Sequence, residues 1–310
     1  MSTELEKNIL TTVTYYDVMD YPMTAFEIWK HLTLINEQGT VDSKQYNLQD
    51  VIKELESENI QKFIEEYQGF YFLKGRKNLV SERLKKNKIS QSKFRKVRWV
   101  LSLLRFVPYV RMAAVTGSVA MKNALPESDI DLLVVLKKNK IFTGRTLVTL
   151  LLHLLGRRRH GRKITNRICL NYFITTDSLE INLKDIFAAS EYSFIFPAYG
   201  LKTFRSFISQ NAWIKNYKPN RQEEILPNPR IIADSHFSKI IKNIREFLLK
   251  PKIIESWLKQ WQIKRIMANP KTHKQGSIVI ADEKKLVFLP EPQGPIIYDK
   301  FKARLADLKA

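Results

Sequence analysis

At 310 residues the chain is long enough for two or three domains, and its 44% apolar and 27% charged shares are ordinary for a globular protein. The formal charge of +21 is not ordinary: it predicts attraction to phosphate-rich partners, whether nucleotide, nucleic acid or an anionic surface. A single cysteine, Cys169, excludes an intramolecular disulfide and a cysteine-rich zinc site. The start, 1–8, is acidic and polar rather than basic and then apolar, and the most apolar run, 147–155, is too short to span a bilayer. Both point to a cytoplasmic chain with no membrane partner.

Residues 4–75 read as three helices and a hairpin. Apolar residues recur at helical spacing over 5–19, and Tyr21-Pro22 ends that helix. Thr24 with Glu27 forms a capping box for a second helix over 25–32. Leu48, Val51, Ile52 and Leu55 share one face of a third helix, and 63–73 alternates around a tight Gln68-Gly69 turn. This order is similar in pattern to a winged helix, yet the third helix is acidic, a poor match to a phosphate-lined groove. A structural or regulatory appendage is the plainer reading. The segment 74–111 then carries thirteen Lys or Arg residues against one acid, Glu82, and reads as a helix with a cationic outer face: solvated surface or a docking track for a polyanion. Pro108 closes it.

The stretch 113–136, AAVTGSVAMKNALPESDIDLLVVL, organises the rest. It reads as a buried strand, a Gly117-Ser118 turn, a ten-residue connection and a second buried strand entered through Asp129 and Asp131. Strand alternation puts the two aspartates on one face with Ile130 on the other. Two acids at the mouth of such a strand call for a hard divalent cation. A Gly-Ser turn offers a closely approachable backbone and a hydroxyl to a phosphate.

Gly117-Ser118, a ten-residue gap and Asp129-Ile130-Asp131 together resemble the signature of the DNA polymerase β superfamily of nucleotidyltransferases, closest to its minimal and kanamycin-type members. The resemblance covers residues 111–175. It implies an α/β (α+β) domain with a mixed sheet. It implies that Gly117 and Ser118 hold the triphosphate of an NTP, ATP foremost, and that Asp129 and Asp131 bind Mg²⁺ or Mn²⁺. It also implies a third acid on the next strand. That strand is 167–174, and by alternation the equivalent position holds Asn171, which can offer a carbonyl to a metal but cannot act as a base. Asp177 or Glu180 could replace it, although their spacing fits a capping box equally well. Cys169 alternates with Asn171 and reads as an inert buried thiol.

Between these strands, Thr143 or Gly144 opens a helix to Leu155, apolar nearly all round and therefore expected to be buried, with His153 in its core. The loop after Gly156 holds Arg157, Arg158 and Arg159, candidates for phosphate or nucleic-acid contacts or else solvated surface. Beyond 182 the pattern is mainly helical: 183–196, 201–212, a Pro- and Asn-rich linker at 218–230, amphipathic helices with basic outer faces over 237–249 and 253–268, a hairpin over 277–289, and a last helix over 298–308. The expected division is a winged-helix-like domain at 1–78, a nucleotidyltransferase core at 79–185 and a helical region at 186–310. The expected activity is Mg²⁺-dependent transfer of a nucleoside monophosphate to a hydroxyl of a protein, an RNA or a small molecule. The alternative is a catalytically weakened nucleotide-sensing or nucleic-acid-binding protein.

Overall fold

Alternating apolar residues in two neighbouring strands are sorted onto two different cores, and this sorting defines the molecule. The computed structural model describes residues 3–34, 45–221, 231–233, 235–249 and 252–308. In chain order, α1 (Glu4–Asp17), α2 (Ala25–Lys30), α3 (Leu48–Leu55) and the short α4 (Glu58–Gln61) lead to the hairpin β1 (Ile64–Tyr67) and β2 (Phe70–Leu73). Thr24 and Glu27 form the expected capping box on α2. Gln68 and Gly69 both take positive φ, the tight hairpin turn that matches strand twist. The N-terminal unit is not a free appendage. Its core includes Ile186 and Phe301 from the C-terminal part, and the Tyr15 ring meets Phe301 edge-on at 5.5 Å.

The basic segment forms α5 (Asn78–Leu103), which feeds β3 (Val110–Thr116). Its cations do not all face outward. Arg83 is buried, donating to Tyr21 and to the Glu27 carboxylate at 2.9 Å, while Arg76 pairs with Asp17 and Asp20. Lys93 is also buried, and its Nζ donates to the carbonyls of Pro126 and Ser128 at 2.7 and 2.8 Å and to Asn166 Oδ1 at 3.1 Å. Lys85, Lys88, Arg95, Lys96 and Arg98 remain exposed. The cationic track is thus narrower than its composition suggests, because long basic side chains also serve as internal hydrogen-bond hubs.

After β3 come α6 (Gly117–Ala120), β4 (Ile130–Leu136), α7 (Ile141–Leu154) and β5 (Ile168–Thr175). β3 and β4 are antiparallel, with Thr116 opposite Asp131, and β4 and β5 are parallel. Ala113, Val115, Leu132 and Val134 join the core under α5 and α7; Met112, Ala114, Leu133 and Val135 join the core on the opposite face. Such continuous apolar runs are what two-sided burial requires. α7 is less buried than its composition predicts: Leu154 is 75% exposed and His153 lies at the surface.

The boundary expected at 185 cuts through the sheet. The region beyond supplies α8 (Ile186–Ser193), β6 (Phe196–Tyr199), α9 (Leu201–Gln210), α10 (His236–Leu248), α11 (Lys252–Met267), β7 (Ile278–Ala281), β8 (Lys285–Leu289) and α12 (Gln293–Asp307). The six-stranded sheet runs β6-β3-β4-β5-β8-β7, so three of its strands come from this part. The expected 277–289 hairpin adds to the edge of β5 through β8. The helix expected over 183–196 is shortened because Phe196–Tyr199 pairs with β3. The outer face of α10 is not uniformly basic either, since Phe237, Ile240, Ile244 and Phe247 are exposed. Most of the linker expected at 218–230 lies outside the described residues; Lys218 and Asn220, within them, are buried.

Lys93 fixes the segment that delivers Asp129. Lys93→Met should cost about 2 kcal/mol in chemical denaturation, because it removes three hydrogen bonds to half-buried acceptors at once. A loss below about 0.5 kcal/mol would show that water replaces the ammonium there without penalty.

Candidate active site

Gly117 sits where β3 ends, at φ +64°, and a Cβ built on it would lie 2.6 Å from Asp131 Oδ2. The position therefore demands glycine twice, for its backbone and for its closeness to the carboxylate. The ten-residue connection lets antiparallel β3 and β4 place this turn directly over the first residues of β4. Ser118 follows, lining the same cleft.

Asp129 and Asp131 converge as alternation predicts. One oxygen of each, together with Cys169 Sγ, lies within 4.8 Å of the others. The register of β5 steps by one residue between the Asp131–Cys169 and Leu133–Tyr172 pairs. Alternation puts Cys169 and Asn171 together beside Asp131; the bulge then keeps Tyr172 on that same side and sends Phe173 to the other core. Asn171 Nδ2 donates to Asp131 Oδ1 at 3.1 Å, so the position expected to bear a third acid is occupied by a donor. Asp177 and Glu180 do not replace it. They lie beyond the far end of β5, where Asp177 meets Lys138 at 3.5 Å and Glu180 pairs with Lys184.

The three arginines part company. Arg159 Nη1 donates to Asp129 Oδ2 at 2.5 Å and lies 3.7 Å from Cys169 Sγ. Arg158 bridges to Ile168 through the backbone and lines the cleft, whereas Arg157 lies near the Trp99 ring. The cleft encloses about 1370 Å³ and is also bordered by α8, α11 and β7.

A further acid, Glu191 of α8, enters from the opposite wall. It lies close enough to the Gly117 backbone N–H and the Thr116 hydroxyl for both to favour its charged form. Burial, then the charges of Asp131 and Asp185, push it up to about 7. Burial and the neighbouring Asp129 raise Asp131 to about 6. No periodicity or motif marks Glu191. Its one signal in the sequence is the single charge inside an otherwise uncharged helix, IFAASEYS.

The donor chemistry fits a hard divalent cation. Two crowded carboxylates favour Mg²⁺ or Mn²⁺, whereas the Cys169 thiol, raised to about 12 by burial and by both aspartates, stays protonated and offers no thiolate to a soft metal. Asp131 and Glu191 hold protons more tightly folded than unfolded. Their stabilising contribution is therefore complete below the ordinary carboxylate range and is lost as pH rises through about 6 and about 7. In chelator-containing buffer the thermal midpoint should fall between pH 4.5 and 7.5, by roughly 2 kcal/mol of stability after allowing for solvent in the cleft. Asp131→Asn should flatten that fall. An equally steep fall in the variant would place the strain elsewhere.

Residues 97–182 match the family model described as a nucleotidyltransferase domain. Comparison with curated proteins and with solved structures returned no match. The matched span runs from within α5 to just beyond β5, and it contains Gly117, Ser118, Asp129, Asp131, Arg159 and Asn171 but not Glu191. With the Gly-Ser turn standing over a strand-borne pair of aspartates in a mixed sheet, residues 97–182 of this chain are a nucleotidyltransferase domain of the DNA polymerase β type.

Proposed function

We propose that the chain transfers a nucleoside monophosphate from an NTP, ATP foremost, to a hydroxyl of an acceptor. The observation that carries this is the Gly117 turn lying against Asp131, with Asp129 converging from the same strand mouth. Asp129 and Asp131 would hold Mg²⁺ or Mn²⁺, which supplies charge neutralisation on the triphosphate and alignment for in-line attack. Ser118 and the backbone at Gly117 take the outer phosphates, as a close-approaching turn can. The acceptor oxygen bonds to the α-phosphorus, the bond from that phosphorus to the bridging oxygen breaks, and pyrophosphate leaves. The hydroxyl proton needs a base, and Asn171 cannot provide one.

Glu191 is our candidate for that base. Among the acids that border the cleft, Asp185 caps α8 and Glu291 pairs with Lys274, leaving Glu191 facing Asp131. Glu191→Gln keeps the size and a polar end beside the Gly117 turn but removes the charge. It should lower turnover about a hundredfold, while Asn171→Asp, which adds a third crowded acid and removes a donor from Asp131, should not raise it. Unchanged turnover in Glu191→Gln would leave Glu191 as a brace of the turn.

The activity itself is tested by incubating the chain with each α-labelled NTP, Mg²⁺ or Mn²⁺ and cell extract. Label should move to one acceptor species and vanish in Asp129→Ala. No transfer with any NTP would favour a second reading, a nucleotide-sensing protein, which the Asn171–Asp131 hydrogen bond supports.

A nucleic-acid acceptor or partner, RNA first, is favoured by the charge of +21 and by the exposed cations of α5. The winged-helix-like unit, joined to α12 and α8 through a shared core, would then serve docking or regulation. RNA affinity should fall steeply with salt, and replacing Lys85, Lys88, Arg95 and Lys96 with Gln should reduce the slope by about one for each phosphate left unneutralised. An unaltered slope would assign these residues to solvated surface.

A further inference from the structure

Asp129 already has a counter-charge, and it comes from this chain. Arg159 stands on the stretch between α7 and β5, with its guanidinium 2.5 Å from Asp129 Oδ2 and 3.7 Å from Cys169 Sγ, atoms on two of the three residues that could hold an ion. Asp131 is served differently. Its partner is the neutral Asn171 amide, so the cationic partner falls on Asp129. A divalent ion shared by the two aspartates would meet a guanidinium at hydrogen-bond distance from one of them, and like charges that close repel strongly.

The arginine is able to leave. Its side chain is 43% exposed against 16% for Asp129, so water can take up the released guanidinium, and breaking the pair costs less than retaining it beside a dication. A planar guanidinium released into a cleft that receives a triphosphate has an obvious bidentate partner in the phosphate oxygens. Arg158 borders the same cleft and forms no ion pair with a carboxylate among the described residues, so it offers a neighbouring comparison of equal charge.

Resting on the nucleotidyltransferase reading, we propose that Arg159 is a positioning residue that couples the two ligands of the site: it occupies Asp129 until a metal–nucleotide complex arrives, then transfers its guanidinium from the carboxylate to the triphosphate. A metal alone must displace Arg159 into water, whereas a metal with nucleotide gives it a better partner. Metal and nucleotide consequently strengthen each other's binding by the same factor.

The test measures Mn²⁺ binding by the paramagnetic resonance signal of the free ion, with and without a non-hydrolysable ATP analogue. It compares wild type with Arg159→Met, Arg159→Gln, Arg158→Met and Asp131→Asn. Wild type should bind Mn²⁺ weakly alone and more tightly with the analogue. Both Arg159 variants should bind Mn²⁺ alone about five- to tenfold more tightly, and the gain from the analogue should shrink. Without the analogue, Arg158→Met should bind Mn²⁺ as wild type does, and Asp131→Asn should lose the site. If the Arg159 variants bind Mn²⁺ no better than wild type while Asp131→Asn abolishes binding, the coupling is overturned and the metal site stands. Equal tightening by Arg158→Met would reduce the effect to bulk charge and overturn it too. No Mn²⁺ binding in any form, with or without analogue, would overturn both this proposal and the function on which it rests.

Discussion

Two carboxylates crowded at the entrance of a buried strand are the constraint on which this structure turns. Asp131 is raised toward neutrality by burial and by Asp129, and each element around the pair answers some part of that strain. β5 presents Asn171 to Asp131, Arg159 reaches across to Asp129, and Lys93 ties down the carbonyls of the segment leading to both. Gly117 leaves space where any side chain would strike Asp131. An arrangement that costs stability and is held from so many sides suits a site built for a ligand rather than for the fold alone.

The matched domain does not close the site by itself. The wall opposite Asp131 comes from α8, beyond the matched residues, and the sheet is completed at both edges by strands from the same C-terminal part. The N-terminal helices share a core with α8 and α12, so a change at the N-terminal unit can be felt by the helix that carries Glu191.

Much of the matched domain was legible in the sequence because its signals are local. A Gly-Ser pair, a fixed gap and an Asp-x-Asp before an apolar run specify a turn over a strand, and they did so here. Alternation also carried Asn171 to the correct face, although the register then shifts at the bulge, which no pattern in RICLNYFI announces. What stayed hidden depends on residues distant in sequence. Glu191 comes beside the Gly117 turn only after α8 packs on the sheet, and Phe196–Tyr199 is a strand only because β3 presents an open edge. Charge runs misled in the same way: Arg83 and Lys93 look like their neighbours in sequence but are enclosed by carbonyls and carboxylates.

The central claim is that Asp129 and Asp131 together hold the metal of a nucleotide complex beneath the Gly117 turn. Its most direct measurement is a crystal structure with Mn²⁺ and a non-hydrolysable NTP analogue, the ion located by its anomalous signal. The predicted result is an ion at about 2.1 Å from oxygens of both aspartates, with the outer phosphates against Gly117 and Ser118. A triphosphate bound away from this turn, or an ion that touches neither aspartate, would contradict it.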